Sequence, residues 1–323
     1  MTTFDAITIT NLSKTYYQRK EVQIHAVKDI CLGIPAGCIF GFLGPNGAGK
    51  TTTIKMICGL VQPTTGNILV NGQDVYRRRF AAMKQIGAVL EGTRNIHWPL
   101  SAWDNMIYFG HLKGMWGKSL SRRAEQLLKE MELWDRRDDL VRVFSRGMQQ
   151  KVAVACALIA DPPIILLDEP TLGLDVHAAR TVKNLVVSMA KDYGKTVLLT
   201  THQLDMAQDV CDRVAIIIKG QIITNQPVAE LLDLFRKEYY QIKVSGTLPA
   251  NIDFGVDGMK VEEKDDTIQI SRPISGQDDL YGFIEKLRSF NLNLVSVDRA
   301  EPNLEEIFIH LVDAHGRQPE VGK

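Results

Sequence analysis

The sequence has no surplus of charge of either sign. Its 323 residues carry 38 Lys and Arg against 38 Asp and Glu, a formal net charge of zero. Chains that live on nucleic acid carry a basic surplus, so the balance argues against that class. Long apolar runs are missing too. The longest, residues 152–160, falls far short of the roughly 20 residues that a membrane-spanning helix needs. Work at a membrane would require a separate anchor. The opening stretch MTTFDAITITNLSKTYY has no apolar core of signal-peptide length, and Asp5 interrupts it. Cysteine is sparse: Cys31, Cys38, Cys58, Cys156 and Cys211 form an odd set with no Cys-x-x-Cys pair. No spacing among them resembles a zinc site, and the pattern points to a reducing compartment. All but Cys211 are flanked by small or apolar residues and are expected to be buried thiols. No internal repeat or low-complexity segment stands out.

What is present is an ordinary globular balance, 45% hydrophobic and 24% charged. The length suits one large domain with a smaller one. Residues 7–12 alternate like a half-buried strand. Residues 39–43 form a short apolar run ending in Gly44, as a buried strand does when it feeds a turn. Helical spacing follows over residues 51–60. Further buried strands are predicted at 86–90, 164–167, 197–200 and 214–218, with helices at 121–133, 147–159 and 176–191. Alternation of this kind predicts an α/β domain built on a parallel sheet. Residues from about 92 onward have few strand signals and read as a helical insertion. Trp98, Trp103 and Trp116 fall in it, as local packing or as a partner surface. From about residue 239 the pattern becomes a small α+β unit: strands at 240–244, 267–270 and 292–297, helices at 277–290 and 303–312. The expected domains are therefore 1–235, with its helical part at about 92–160, and 236–313. A disordered tail is expected over 314–323.

Gly44-Pro45-Asn46-Gly47-Ala48-Gly49-Lys50-Thr51 fits the phosphate-loop pattern G-x-x-x-x-G-K-[ST], between an apolar strand and a helix. Glycines let successive backbone N–H groups turn inward around an anion. The helix start aims its positive end at the phosphates. Lys50 adds a point charge, the Thr51 hydroxyl suits Mg²⁺, and Thr52 continues the helix start. The run Ile164-Ile-Leu-Leu-Asp168-Glu169 ends a second buried strand in two carboxylates, where ligands of open α/β sheets bind. Asp168 suits holding Mg²⁺ and Glu169 suits polarising an attacking water. A third such strand leads to His202.

Phe144-Ser145-Arg146-Gly147-Met148-Gln149-Gln150 resembles the Leu-Ser-Gly-Gly-Gln signature of ATP-binding cassette (ABC) ATPases, with Phe and Arg146 as departures and Ser145 and Gly147 intact. Motifs in the family's order cover residues 4–235. The resemblance implies a P-loop NTPase fold with a mixed sheet and a helical subdomain, ATP and Mg²⁺ as cofactors, and a head-to-tail dimer. In that dimer the signature closes on the nucleotide of the other protomer. It implies that Tyr16, with Tyr17 as fallback, stacks on adenine, that Asp175 lies in the loop crossing the dimer interface, and that His202 contacts the γ-phosphate. Glu91 falls where the family has Gln. It would strengthen Mg²⁺ binding or, protonated, behave like an amide. The variant signature, Glu91 and the run 301–308 are similar to the ATPase subunits of drug-resistance-type bacterial exporters. That likeness implies an ATPase driving a separate multi-span permease from the cytoplasmic face of the cell membrane, as a homo- or heterodimer, with no nucleic acid. The alternative is a soluble cassette ATPase on nucleic acid or ribosomes. It is disfavoured by the neutral charge, the single cassette and the lack of heptads between the phosphate loop and Asp168.

Overall fold

The computed structural model describes residues 4–17, 23–92, 95–236, 239–246, 259–264, 267–274, 276–299 and 303–316. Two compact units divide the chain, Met1–Pro227 and Val228–Lys323.

In chain order the first unit holds β1 (Asp5–Tyr17), β2 (Gln23–Pro35), β3 (Ile39–Leu43), α1 (Lys50–Ile57), β4 (Thr65–Val70), β5 (Gln73–Asp74), α2 (Arg79–Lys84) and β6 (Ile86–Val89). The helices α3 (Ala102–Leu112), α4 (Gly117–Glu130) and α5 (Arg146–Leu158) come next. The unit closes with β7 (Ile164–Asp168), α6 (Val176–Lys191), β8 (Thr196–Thr201), α7 (Leu204–Val210), β9 (Arg213–Ile218) and β10 (Gln221–Pro227).

The central sheet has the order β10-β9-β3-β8-β7-β6. Its strands run parallel except β10, which pairs antiparallel with β9. Strands β3, β7 and β8 are buried along their whole lengths. Their continuous apolar runs are what a sheet covered on both faces requires. One face packs Phe40, Phe42, Leu166 and Leu198 against Ile54 and Ile57 of α1 and against Ile7, Ile9 and Leu12 of β1. Each of these large side chains contributes about 1.5–3 kcal/mol on burial. Helices α6 and α7 lie against β8 and β3. A second sheet, antiparallel in the order β2-β1-β4-β5, brings β1 to this core. The mixed sheet of the expected fold is thus present, with a separate antiparallel layer.

The helical part is α3 to α5, packed on one another. Helix α4 buries Leu120, Ala124, Leu127 and Leu128, one face at helical spacing. Trp103 meets Trp134 edge to face at 6.1 Å, whereas Trp98 and Trp116 are exposed. The tryptophans therefore divide between packing and surface. Cysteine burial departs from expectation. Cys31 is exposed and Cys211 is buried. In β2 the residues Ile30, Leu32 and Ile34 face the core, so the period of two turns Cys31 outward. Burial pushes the Cys58 thiol up to about 12, as expected for an inert core thiol.

The second unit holds α8 (Val228–Arg236), β11 (Tyr239–Ser245), β12 (Lys260–Lys264), β13 (Thr267–Pro273), α9 (Gln277–Ser289), β14 (Asn293–Arg299) and α10 (Leu304–Gly316). Its antiparallel sheet, β12-β13-β11-β14, buries Ile242, Val244, Ile268 and Ile270 with Phe283 and Leu287 of α9. The unit begins at α8, eight residues before the boundary expected from sequence. Helix α10 extends through Gly316, so residues 314–316 are helical and not part of a disordered tail; residues 317–323 lie outside the described residues, as do 237 and 238 near the start of the expected 236–313 domain and 301 and 302 of the 301–308 run.

Candidate active site

Three neighbouring strands, β3, β8 and β7, end at one edge of the central sheet. After β3 the chain turns through the phosphate loop into α1. Gly49 has φ +110°, and a Cβ there would sit 2.4 Å from the Ala26 carbonyl, so only glycine fits. The loop is tied down from outside: Gly220 N–H donates to the Ala48 carbonyl at 3.0 Å. The first N–H groups of α1 lack partners within the helix, as at every helix start, and face an anion well.

Lys50 is 6% exposed. Its Nζ donates to the carbonyls of Gly44 at 2.6 Å and Pro45 at 3.2 Å. Burial pushes the ammonium below its ordinary value, while Glu169, Asp168 and Glu91 push back. All three carboxylates are thus within electrostatic reach of it.

Asp168, at the end of β7, is 2% exposed. Its Oδ1 accepts from the hydroxyls of Thr200 and, at 3.4 Å, Thr51. Its Oδ2 is buried without a partner. A lone carboxylate oxygen beside a hydroxyl is costly to leave unpaired, and it suits a hard divalent cation that takes oxygen ligands. Mg²⁺ held by one carboxylate, one hydroxyl and substrate phosphates fits this donor set. Among the described residues there is no cage of three or more His, Cys, Asp or Glu side chains.

Glu169 follows in the left-handed region at φ +51°. That conformation costs a non-glycine residue about 1–2 kcal/mol. Its N–H is held by both the carbonyl and the hydroxyl of Thr200, each at 3.1 Å. Its Oε2 lies 2.9 Å from Nδ1 of His202.

A cavity of 460 Å³ is lined by Asn46, Gly47, Ala48, Gly49, Lys50, Thr51 and Thr52 on one side, and by Glu91, Glu169 and His202 on the other. Gly44 and Pro45 contribute the carbonyls that hold Lys50. Glu91 is exposed, on a turn that Asn95 clamps through Leu90 N–H at 3.0 Å and the Leu90 carbonyl at 2.6 Å. Tyr16 is not among the lining residues. It pairs across β1 and β2 with Ile24 and carries the Lys14 ammonium 4.9 Å above its ring.

No signature residue lines this cavity, but Arg146 and Gln149 line a neighbouring one of 720 Å³ together with Glu91, Asp168 and Glu169. Ser145 is exposed and caps α5, its Oγ accepting from Met148 N–H at 3.3 Å. Gly147 is buried, and a Cβ there would sit 2.7 Å from that of Ala178. Gln149 Nε2 donates to the carbonyls of Val141 and Phe144, each at 3.2 Å, so it braces the turn. Asp175 caps α6 in the same way through Ala178 N–H at 2.8 Å. Sequence reasoning missed Thr200, Asn95 and Ala26. Only Thr200 left any trace, as a polar residue closing a buried strand.

The parallel sheet, the phosphate loop and the carboxylate pair at the strand ends define a nucleotide-binding phosphate-loop ATPase. A family model described as ABC transporter matches residues 27–172, and one described as a domain of unknown function (DUF8691) matches residues 239–298. The ABC transporter ATP-binding protein NatA of Bacillus subtilis (strain 168) is 37% identical over 232 residues, covering 72% of this chain and 94% of NatA. The linearmycin resistance ATP-binding protein LnrL of the same organism is 32% identical over 311 residues, covering 93% and 96%. Among solved structures, the ATP-binding cassette MJ0796, a dimer in a post-hydrolysis state bound to ADP and Pi, superposes with a TM-score of 0.63. It is 29% identical, with 69% of this chain and 98% of that one covered. The chain belongs to the ABC transporter ATP-binding proteins, of the resistance-exporter type, and is an ATPase whose hydrolysis is coupled to transport. Among the described residues no helix is long and apolar enough to cross a membrane.

Proposed function

We propose that two protomers of this chain, or this chain and a second cassette, close head to tail over two ATP molecules and drive a separate multi-span permease from the cytoplasmic membrane face. The observation that carries the proposal is the convergence of Lys50, Thr51, Asp168, Glu169 and His202 at one sheet edge. In this reading the loop N–H groups and Lys50 bind the β- and γ-phosphates. Thr51 and Asp168, with Glu91 nearby, hold Mg²⁺, which when bound offsets phosphate charge. Glu169 accepts a proton from the attacking water as its oxygen bonds to the γ-phosphorus and the bond to the ADP oxygen breaks. His202, oriented by Glu169, contacts the γ-phosphate, and Tyr16 stacks on adenine.

Ser145 and Asp175 lie on the face offered to the other protomer, and the buried Gly147 and the turn-bracing Gln149 support it. Moving a dimer from mostly open to mostly closed takes about 5.5 kcal/mol of differential binding, or about 2.7 kcal/mol per site. One or two charge-assisted hydrogen bonds from Ser145 and the start of α5 to the γ-phosphate, at about 1.5–3 kcal/mol each, suffice. ADP lacks that group and releases the closed state. The exposed Leu112, Trp116 and Tyr108 of the helical part suit the permease contact.

The test is affinity purification of tagged Glu169→Gln from detergent-solubilised membranes with ATP. A multi-span membrane protein in about equal amount supports the proposal, as the fixed stoichiometry of a specific complex requires. Recovery with nucleic acid or ribosomes and no membrane protein overturns it.

A further inference from the structure

Thr200 lies directly opposite Asp168 in the parallel ladder of β7 and β8. Deeper in the same ladder the pairs are apolar, Leu167 with Leu199 and Leu166 with Leu198. Thr200 itself is completely buried, so its hydroxyl has no recourse to water. A hydroxyl has one proton to give and lone pairs to receive with. Here the proton goes to Asp168 Oδ1, and a lone pair takes the N–H of Glu169 at 3.1 Å. One oxygen atom therefore holds both members of the carboxylate pair, one by its side chain and the other by its backbone.

We infer that Thr200 is a positioning residue for hydrolysis: its hydroxyl fixes the Asp168 carboxylate and the left-handed turn at Glu169 as one unit. The inference rests on Asp168 acting at the cation and Glu169 at the water. Engaging Oδ1 leaves Oδ2 as the free, buried oxygen of Asp168. The Glu169 N–H, at φ +51°, a region uncommon for glutamate, is shared between this hydroxyl and the Thr200 backbone carbonyl, so the hydroxyl adds the side-chain half of that hold. The neighbouring Thr201 serves a different end, accepting Gln203 N–H at 2.9 Å where the chain enters α7. It therefore provides an internal contrast.

The test compares Thr200→Val, which keeps the branched shape and loses the hydroxyl, with Thr200→Ser, which keeps the hydroxyl, in the full chain. Turnover, equilibrium binding of a fluorescent ATP analogue with Mg²⁺ or with EDTA, and the thermal midpoint are measured together. Thr200→Val is expected to lower kcat about 10- to 100-fold, the worth of a hydrogen bond to a charged group. Its affinity in EDTA should stay at the parental value, while the gain in affinity on adding Mg²⁺ shrinks. Thr200→Ser should restore both. If Thr200→Val does not fold, Thr200→Ala is the hydroxyl-free variant. Parental turnover and parental Mg²⁺ dependence in the hydroxyl-free variant would overturn the inference. So would a Thr200→Ser variant as impaired as Thr200→Val, or failure of both hydroxyl-free variants to fold while Thr200→Ser does. Glu169→Gln separates the two levels: rapid turnover there removes the role of Glu169 itself, whereas a silent Glu169→Gln beside an active Thr200→Val removes only that of Thr200.

Discussion

The two helix starts proposed to meet phosphate, those of α1 and α5, are built differently. At α1 the groups are enclosed. Lys50 is buried on loop carbonyls, Asp168 is held by Thr200 and Thr51, and Glu169 is held against His202. At α5 the groups are spare. Ser145 is exposed and has only its own helix to cap, as has Asp175 on α6. A site that finishes its work within one chain has its charges oriented by that chain. A site that awaits a second chain keeps its donors at the surface, where burial would otherwise leave them unpaired. Under the proposed function, the difference in burial follows the division between groups that act in cis and groups that act in trans.

The strongest test of the enclosed half is Glu169→Gln. Turnover should fall about 10²- to 10⁴-fold, the range for loss of a positioned general base. ATP should still bind, and size-exclusion chromatography with ATP should show a dimer. A variant that turns over at the parental rate would take Glu169 out of the base role. Next comes Lys50→Ala, expected to weaken ATP binding by titration calorimetry about 10- to 100-fold, the worth of a charge-assisted bond. Unchanged affinity would break the assignment of the loop.

Ser145→Ala probes the spare half. Its ATP affinity as a monomer should match the parent, while turnover falls about tenfold, as one lost hydrogen bond to a charged group implies. A loss of monomer affinity would erase the distinction between the two halves. Asp175→Ala should show the smallest effect, a loss of about 1 kcal/mol in denaturant unfolding from the missing helix cap. Asp175→Asn should keep that stability, because an amide oxygen caps as well.

The sequence made the enclosed half legible because burial and function coincide there. Apolar runs marked β3, β7 and β8, and the loop pattern, Asp168, Glu169 and His202 followed at their ends. Strands β2, β4 and β10 escaped because half-exposed strands with shifted register carry no continuous apolar run. Strand parity decided Cys31, which its apolar neighbours could not reveal. Thr200 stayed hidden for a related reason. A threonine is at home in any strand, and only the ladder shows which residue it faces. Helix caps at Ser145 and Asp175 were visible as motif residues, but their exposure was not.

The parallel ladder sets the scale of the chemistry. Neighbouring strands stand about 4.8 Å apart and residues advance about 3.3 Å along each strand. Loop, histidine and carboxylates hang from the ends of β3, β8 and β7, so their separations are multiples of the sheet's own spacing. A slip of β7 by one residue would turn every side chain to the other face and carry Asp168 out of hydrogen-bond range of Thr51. The central sheet is therefore a ruler with coarse graduations, and its tightly filled layers forbid intermediate marks. Fine adjustment is left to what lies beyond the strand ends: the turn at Glu91, the loop before Asp175, and whatever a second protein presses against them.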